Sequence, residues 1–281
     1  KFISEIMLEV LQYQFIQNAV YASLLISILC GLVGTFVVSR RIVFIAGGVT
    51  HASFGGIGIG YFLGIHPLVG AAVFSTIAAN IMHYFTGSGK LREDSAIGIL
   101  WSFGMALGII FIFITPGTPP NLMSYLFGNL LTVSSRELLM MLILAIVVLL
   151  FFVVFYRLMI AIAFDESYAK SLRLPVHFIN YSLMTLIALV IVITIKAAGI
   201  ILVMSYLTIP QSTSNLFFND FRKIALGSIV ISLLGSVVGL VISYLLNVPT
   251  GASVITVFVM LFLVARLVTG FLNKRKQDRG V

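Results

Sequence analysis

The sequence predicts an all-α integral membrane protein, a polytopic bundle of about nine transmembrane helices, and three observations carry that prediction. Hydrophobic residues make up 60% of the 281 positions and charged ones 9%, whereas a soluble domain is about a quarter charged. The apolar runs are continuous and long enough to span a bilayer as helices, with none of the two-residue alternation of a membrane barrel. The few charges stand at the ends of those runs, where they act as topology signals.

Taken in order, residues 1–17 set Glu5 and Glu9 among Ile6, Leu8, Leu11 and Phe15 at helical spacing, which predicts an interfacial helix. They lack a basic segment leading to a cleavage site and so do not read as a signal peptide. A transmembrane domain follows over 18–272. Its first span is 19–39, stopped by Arg40-Arg41, and its second is 42–64. His66-Pro67 makes a short turn, with Pro67 suited to open the third span, 68–85. Ser95 is the expected cap of the fourth span, which ends near Ile114. Three prolines in 115–121 forbid a helix, and 122–131 is too short to cross, so it lies at the surface or re-enters. The fifth span is 138–156 and the sixth 178–195, separated by the polar loop 163–175. A seventh apolar stretch, 199–217, contains Pro210 and is expected to kink there. The eighth and ninth spans are 224–246 and 253–269, and 273–281 is a basic tail.

Nine spans place 14 of the 17 Lys and Arg residues on one side and only Lys1, Arg136 and Lys196 on the other. The positive-inside bias then puts the C-terminus in the cytoplasm and the N-terminus outside. All nine acids fall at span ends or in loops, which argues against a carrier or channel built on intramembrane carboxylates. His66, His83, His177 and Lys196 lie near the surfaces, where snorkelling or solvation accounts for them. The single Cys30 sits in an apolar run and reads as packing. The net charge of +8 forms no basic patch with interleaved aromatics, so no nucleic-acid partner is expected. Metalloprotease, nucleophile-elbow and phosphate-loop signatures are all missing. The chain therefore reads as a non-enzyme whose energy, if transport is active, comes from a partner.

One ionisable residue stands apart. His51 lies ~15 Å beyond Arg41 along a helix, near the bilayer midplane. Gly48, Ala52, Gly56, Gly60 and Gly64 recur every fourth residue, a small-residue stripe that admits a neighbouring helix closely. Gly47 and Gly55 share the face of His51 and are expected to leave open space around the imidazole. An intramembrane His is either a satisfied packing residue or part of a polar path. In the loop 163–175, Phe164, Tyr168, Ala169 and Leu172 fall on one side of a short helix, with Asp165 and Glu166 at its N-terminal end.

Four segments then resemble the membrane subunit of zinc/manganese-type ABC importers, over almost the whole chain. They are GLVGTFVVSRRIVFIAGGVTHASFGG (31–56), AFDESYAKSLRLPV (163–176), AAGIILVMSYLTIPQSTSNL (197–216) and SYLLNVPTGASVITV (243–257). The resemblance implies a type II ABC-importer permease in the bacterial cytoplasmic (inner) membrane. Implied partners are a second permease subunit as a homodimer, a cytoplasmic ABC ATPase, an extracytoplasmic metal-binding protein and membrane lipid. It makes 163–175 the ATPase-docking loop, through Asp165, Glu166, Ala169 and Leu172, and His51 a metal ligand on the pathway. No cofactor is implied to stay bound; the divalent metal is cargo. Family members commonly carry Asp four residues before that His, and here Gly47 stands in its place. Loss of a hard oxygen ligand beside an imidazole favours zinc, with manganese or iron as alternatives. A permease for chelated metal of the siderophore or cobalamin type, and an ATPase-independent metal facilitator, are the competing readings.

Overall fold

A computed structural model describes residues 13–87, 92–117 and 122–278. The elements are α1 (Gln14–Ser39), α2 (Val43–Phe62), α3 (Pro67–Gly87), α4 (Glu93–Ile114), α5 (Leu122–Phe127), a 3₁₀ turn (Leu130–Thr132) and α6 (Ser135–Phe164). After these come α7 (Glu166–Ser171), α8 (Val176–Tyr206), α9 (Ile209–Ser214), α10 (Phe221–Leu246) and α11 (Thr250–Asp278). No strand occurs among the described residues. The all-helical membrane fold is as expected. The predicted interfacial helix lies largely outside the described residues, and Gln14 to Gln17 already belong to α1.

Among the described residues, 8 stretches are long and apolar enough to cross a membrane. The expected sixth and seventh spans run together as one of them, the 39-residue stretch Val176–Ser214. What joins them is Gly199, at φ 80° and ψ 159°, a backbone region that is essentially reserved for glycine. The two arms run in opposite directions. On the first, Asn80 Nδ2 of α3 donates to Thr185 Oγ1 (3.0 Å), and Lys196, further on, pairs with Glu137 at the start of α6. On the second, Tyr206 meets Ser236 in the middle of α10 (2.5 Å), and Ser214 donates to the Ile224 carbonyl near its start (3.0 Å). The return arm thus supplies a ninth pass through the bundle.

Pro210 is not the main bend. It stands second in α9, where a missing N–H costs nothing, and the break beside it is the short one at Leu207 and Thr208. Ser95 is no cap either: α4 starts at Glu93 after the extended Arg92, which places Ser95 within the first turn. Pro67 does open α3. Thr115, held extended ahead of Pro116, ends α4. Ser134 and Glu137 close a capping box at the start of α6, and Asp220 caps α10 through the N–H groups of Arg222 and Lys223.

The bundle has two distinct ends. One gathers Gly128, Glu137, Lys196, Gly199 and Gly251; the other gathers Arg40, Glu166, Ser214 and Ile224. Between them α2 and α8 are the most enclosed helices, and α4 and α11 the most exposed. α2 packs closely because it is glycine-faced on two sides rather than one. Gly56 and Gly60 lie on Gly70 and Pro67 of α3, while Ala52, Gly55 and Gly58 lie on Gly104 and Gly108 of α4. A Cβ on Gly55 would stand 2.8 Å from the Gly104 carbonyl oxygen, which fixes the distance between those helices. Gly64 is outside the stripe: α2 ends at Phe62, and Gly64 turns the chain at φ 68°.

Candidate functional site

His51 sits in the third turn of α2, half-buried. Its imidazole stacks on Trp101 of α4, with centroids 3.8 Å apart and planes 11° apart. Nδ1 is buried and has no hydrogen-bond partner among the described residues. A buried polar atom without a partner costs about 1–3 kcal/mol, so this His is not the satisfied packing residue of the simpler reading.

The space around the ring is not open as expected. One turn back, the side chain of Met204 on the return arm fills the room beside Gly47, with its methyl 2.9 Å from where a Cβ would stand. One turn on, the Gly104 backbone closes on Gly55. Trp101 covers one ring face. Thr50 Oγ1 donates to the Ala46 carbonyl at 2.7 Å and lies 3.7 Å from Met204 Sδ; Ser53 donates to the Thr50 carbonyl at 2.5 Å. No cluster of three or more His, Cys, Asp or Glu occurs among the described residues. The arrangement offers one imidazole with a thioether one turn away, which suits an ion in passage better than a resident one.

Trp101 and Met204 were both missed by sequence reasoning. Trp101 is the single Trp of the chain, a signal that was there to be used. Met204 is 154 residues from Thr50, and no local pattern links the two.

At the far end of α6, Asp165 caps α7 by accepting from the Tyr168 N–H at 2.9 Å. Glu166 accepts from Arg40 Nη2 at 2.6 Å and from Lys170 Nζ at 2.8 Å. Burial by itself would raise the Glu166 carboxyl, but the bonds and charges of Arg40 and Lys170 win and hold it at about 2. Ala169 faces inward, fully buried, so it has no place on a docking surface. Phe164 (87% exposed), Tyr168 (60%) and Leu172 (53%) are the apolar groups that project. Lys196, expected to be merely solvated, is the partner of Glu137.

The match to known proteins decides the family. Residues 12–269 match the family described as the ABC 3 transport family. The chain belongs to that family. It is a multi-pass membrane permease of a metal ABC importer, as the four quoted segments suggested. The manganese transport system membrane protein MntC of Halalkalibacterium halodurans is 34% identical to it, over 92% of this chain and 88% of that protein. The manganese import system permease protein ScaB of Streptococcus gordonii is 32% identical, over 90% and 91%. The structure of PsaBC from Streptococcus pneumoniae in complex with Fab superposes with a TM-score of 0.84 at 32% identity, covering 94% of this chain and 95% of that one. None of these names zinc.

Proposed function

We propose that this permease carries a divalent transition metal ion across the bacterial cytoplasmic membrane and that His51 meets the ion on its way. The observation that supports the role of His51 is its buried, unpartnered Nδ1, the atom a passing metal would use. The Arg40 end is cytoplasmic, because that side carries most of the Lys and Arg; the N-terminus is then outside and the C-terminus inside. The ATPase docks at α7 through Phe164, Tyr168 and Leu172, with Asp165 and Glu166 at the helix start. ATP is hydrolysed by that partner and not by this chain. A second copy closes the pathway about a two-fold axis, and an extracytoplasmic metal-binding protein delivers the ion.

Kinship favours manganese as the cargo, since the two relatives at 34% and 32% identity are named for it. A specific observation favours zinc as a second reading. Gly47 withholds a carboxylate and the Met204 thioether fills its place, and nitrogen and sulfur donors suit zinc better than manganese. Uptake of both metals, measured in cells lacking their own importers and supplied with this chain, its ATPase and its binding protein, separates the two. His51→Ala at matched membrane level is expected to lower uptake of the transported metal at least tenfold. Wild-type uptake by that variant would remove His51 from the path. Uptake that persists without the ATPase would favour a facilitator, and uptake of neither free ion a permease for chelates.

A further inference from the structure

Arg40 lies at a junction that neither the docking patch nor the His51 site accounts for. It follows the last residue of α1, and only Arg41 and Ile42 separate it from α2. That turn is tight. The Arg40, Arg41 and Ile42 N–H groups donate back to the Phe36, Val38 and Val37 carbonyls at 2.9, 3.1 and 3.0 Å, and Arg41 is held left-handed at φ 59°. The Arg40 guanidinium forks to two other segments. Nη1 donates to the Ile162 carbonyl in the last turn of α6 (2.5 Å), and Nη2 to Glu166 in the first turn of α7 (2.6 Å). Its side chain is only 18% exposed. A planar fork holding two acceptors is stiff in a way that a single lysine contact is not.

We propose that Arg40 is the strut that carries displacement of the α7 docking helix to the His51 helix. The proposal rests on the reading of α7 as the ATPase dock. α7 is short and tied to α6 through Asp165, so a push on its exposed face moves Glu166 and the Ile162 carbonyl together. Both pull on the same guanidinium, and a two-residue turn hands that movement to α2. α2 in turn is locked to α3 and α4 by its two glycine faces, so the three helices shift as a unit. Arg40 touches no cargo and acts as a positioning residue.

The test is metal uptake per ATP hydrolysed, measured in vesicles that hold the assembled transporter with its ATPase and binding protein. Arg40→Gln is expected to keep the ATPase bound and hydrolysing while uptake per ATP falls at least tenfold. Arg40→Lys, which keeps the charge and loses the fork, should fall between. Arg41→Gln, whose parent side chain makes no ion pair or hydrogen bond among the described residues, should match wild type. Uptake per ATP within twofold of wild type for Arg40→Gln overturns the strut, as does loss of the bound ATPase, which would make Arg40 part of the dock. If Arg40→Gln does not accumulate, Glu166→Gln reads the same bond from the other side: uncoupling sustains the strut and wild-type coupling overturns it. A wild-type transporter without ATP-dependent uptake overturns the importer reading, and the strut with it.

Discussion

The two ends of the bundle are held together by different materials. At the Gly199 end, beside the Lys196–Glu137 pair, backbone lies on backbone. Gly128, at φ 63°, is pressed against Ala198 and Gly199, and a Cβ on Gly251 would stand 2.6 Å from the Phe127 carbonyl oxygen. At the Arg40 end the contact is made by the tip of one side chain, a guanidinium on the Glu166 carboxylate and the Ile162 carbonyl oxygen. Bare backbone in van der Waals contact has no give, because the next few tenths of an ångström are repulsive. The Arg40 fork holds two acceptors at once, so it travels with them as they move, and no backbone is pressed on backbone there to forbid the movement. The Gly199 end is therefore built as a fixed joint and the Arg40 end as one that can be displaced.

Breaking the fixed joint has the largest expected effect. Gly199→Ala forces a residue with a Cβ into a backbone region outside its range and drives that carbon into the Leu126 carbonyl, 2.6 Å away. The strain costs ~1–3 kcal/mol and overpacking ~1–3 kcal/mol more. The protein should lose most of its folded yield in membranes, or many degrees of Tm in detergent. A wild-type Tm for this variant would mean that the reversal at Gly199 is not part of the folded state.

The packing of α2 gives the next largest effect, and a contrast that sharpens it. Gly55→Ala meets the Gly104 backbone, where nothing flexible can yield, and is expected to destabilise by ~1–3 kcal/mol. Gly98 lies on α4 with no heavy atom within 4 Å of a Cβ built there, so Gly98→Ala should stabilise by up to ~1 kcal/mol through helix propensity. Thermal unfolding of the two purified variants in one detergent settles the point. Equal shifts would show that helix propensity, and not interhelical contact, governs these glycines.

The same contrast explains what was legible in the sequence. Span ends stand where charge meets a long apolar run, and Arg40-Arg41, Pro67 and Arg222-Lys223 mark them openly. The return at Gly199 is silent, because a glycine inside an apolar run looks the same whether it packs a helix or reverses it. Pro210, two residues past a minor break, drew attention that belonged to Gly199. His51 was found because an ionisable group at mid-depth is conspicuous. Trp101 and Met204, which shape its surroundings, come from helices brought near only by folding. Ala169 is assigned to the dock by helical spacing and the family resemblance, and neither sees how the helix is rotated. A helix of six residues has its rotation set by what holds it, and here the Asp165 cap and the Arg40–Glu166 pair both fix its first turn.

The smallest effect concerns the side-chain end and tests its chemistry directly. Glu166 is held at about 2, below its ordinary 4.5, so its folded pKa is depressed. Its contribution to stability is then complete above about pH 4.5 and is lost as the pH falls toward 2. Because the pair is partly open to solvent, that contribution is about 1 kcal/mol or less. Wild type and Glu166→Gln should differ in Tm by a constant small amount from pH 5 to 8 and converge below pH 4.5, and added salt should narrow the gap. The charges facing Glu166 are Arg40 and Lys170, with His83 of α3 also within electrostatic reach. A gap that instead persisted unchanged as the pH fell toward 2 would remove Glu166 as the controlling group at this end.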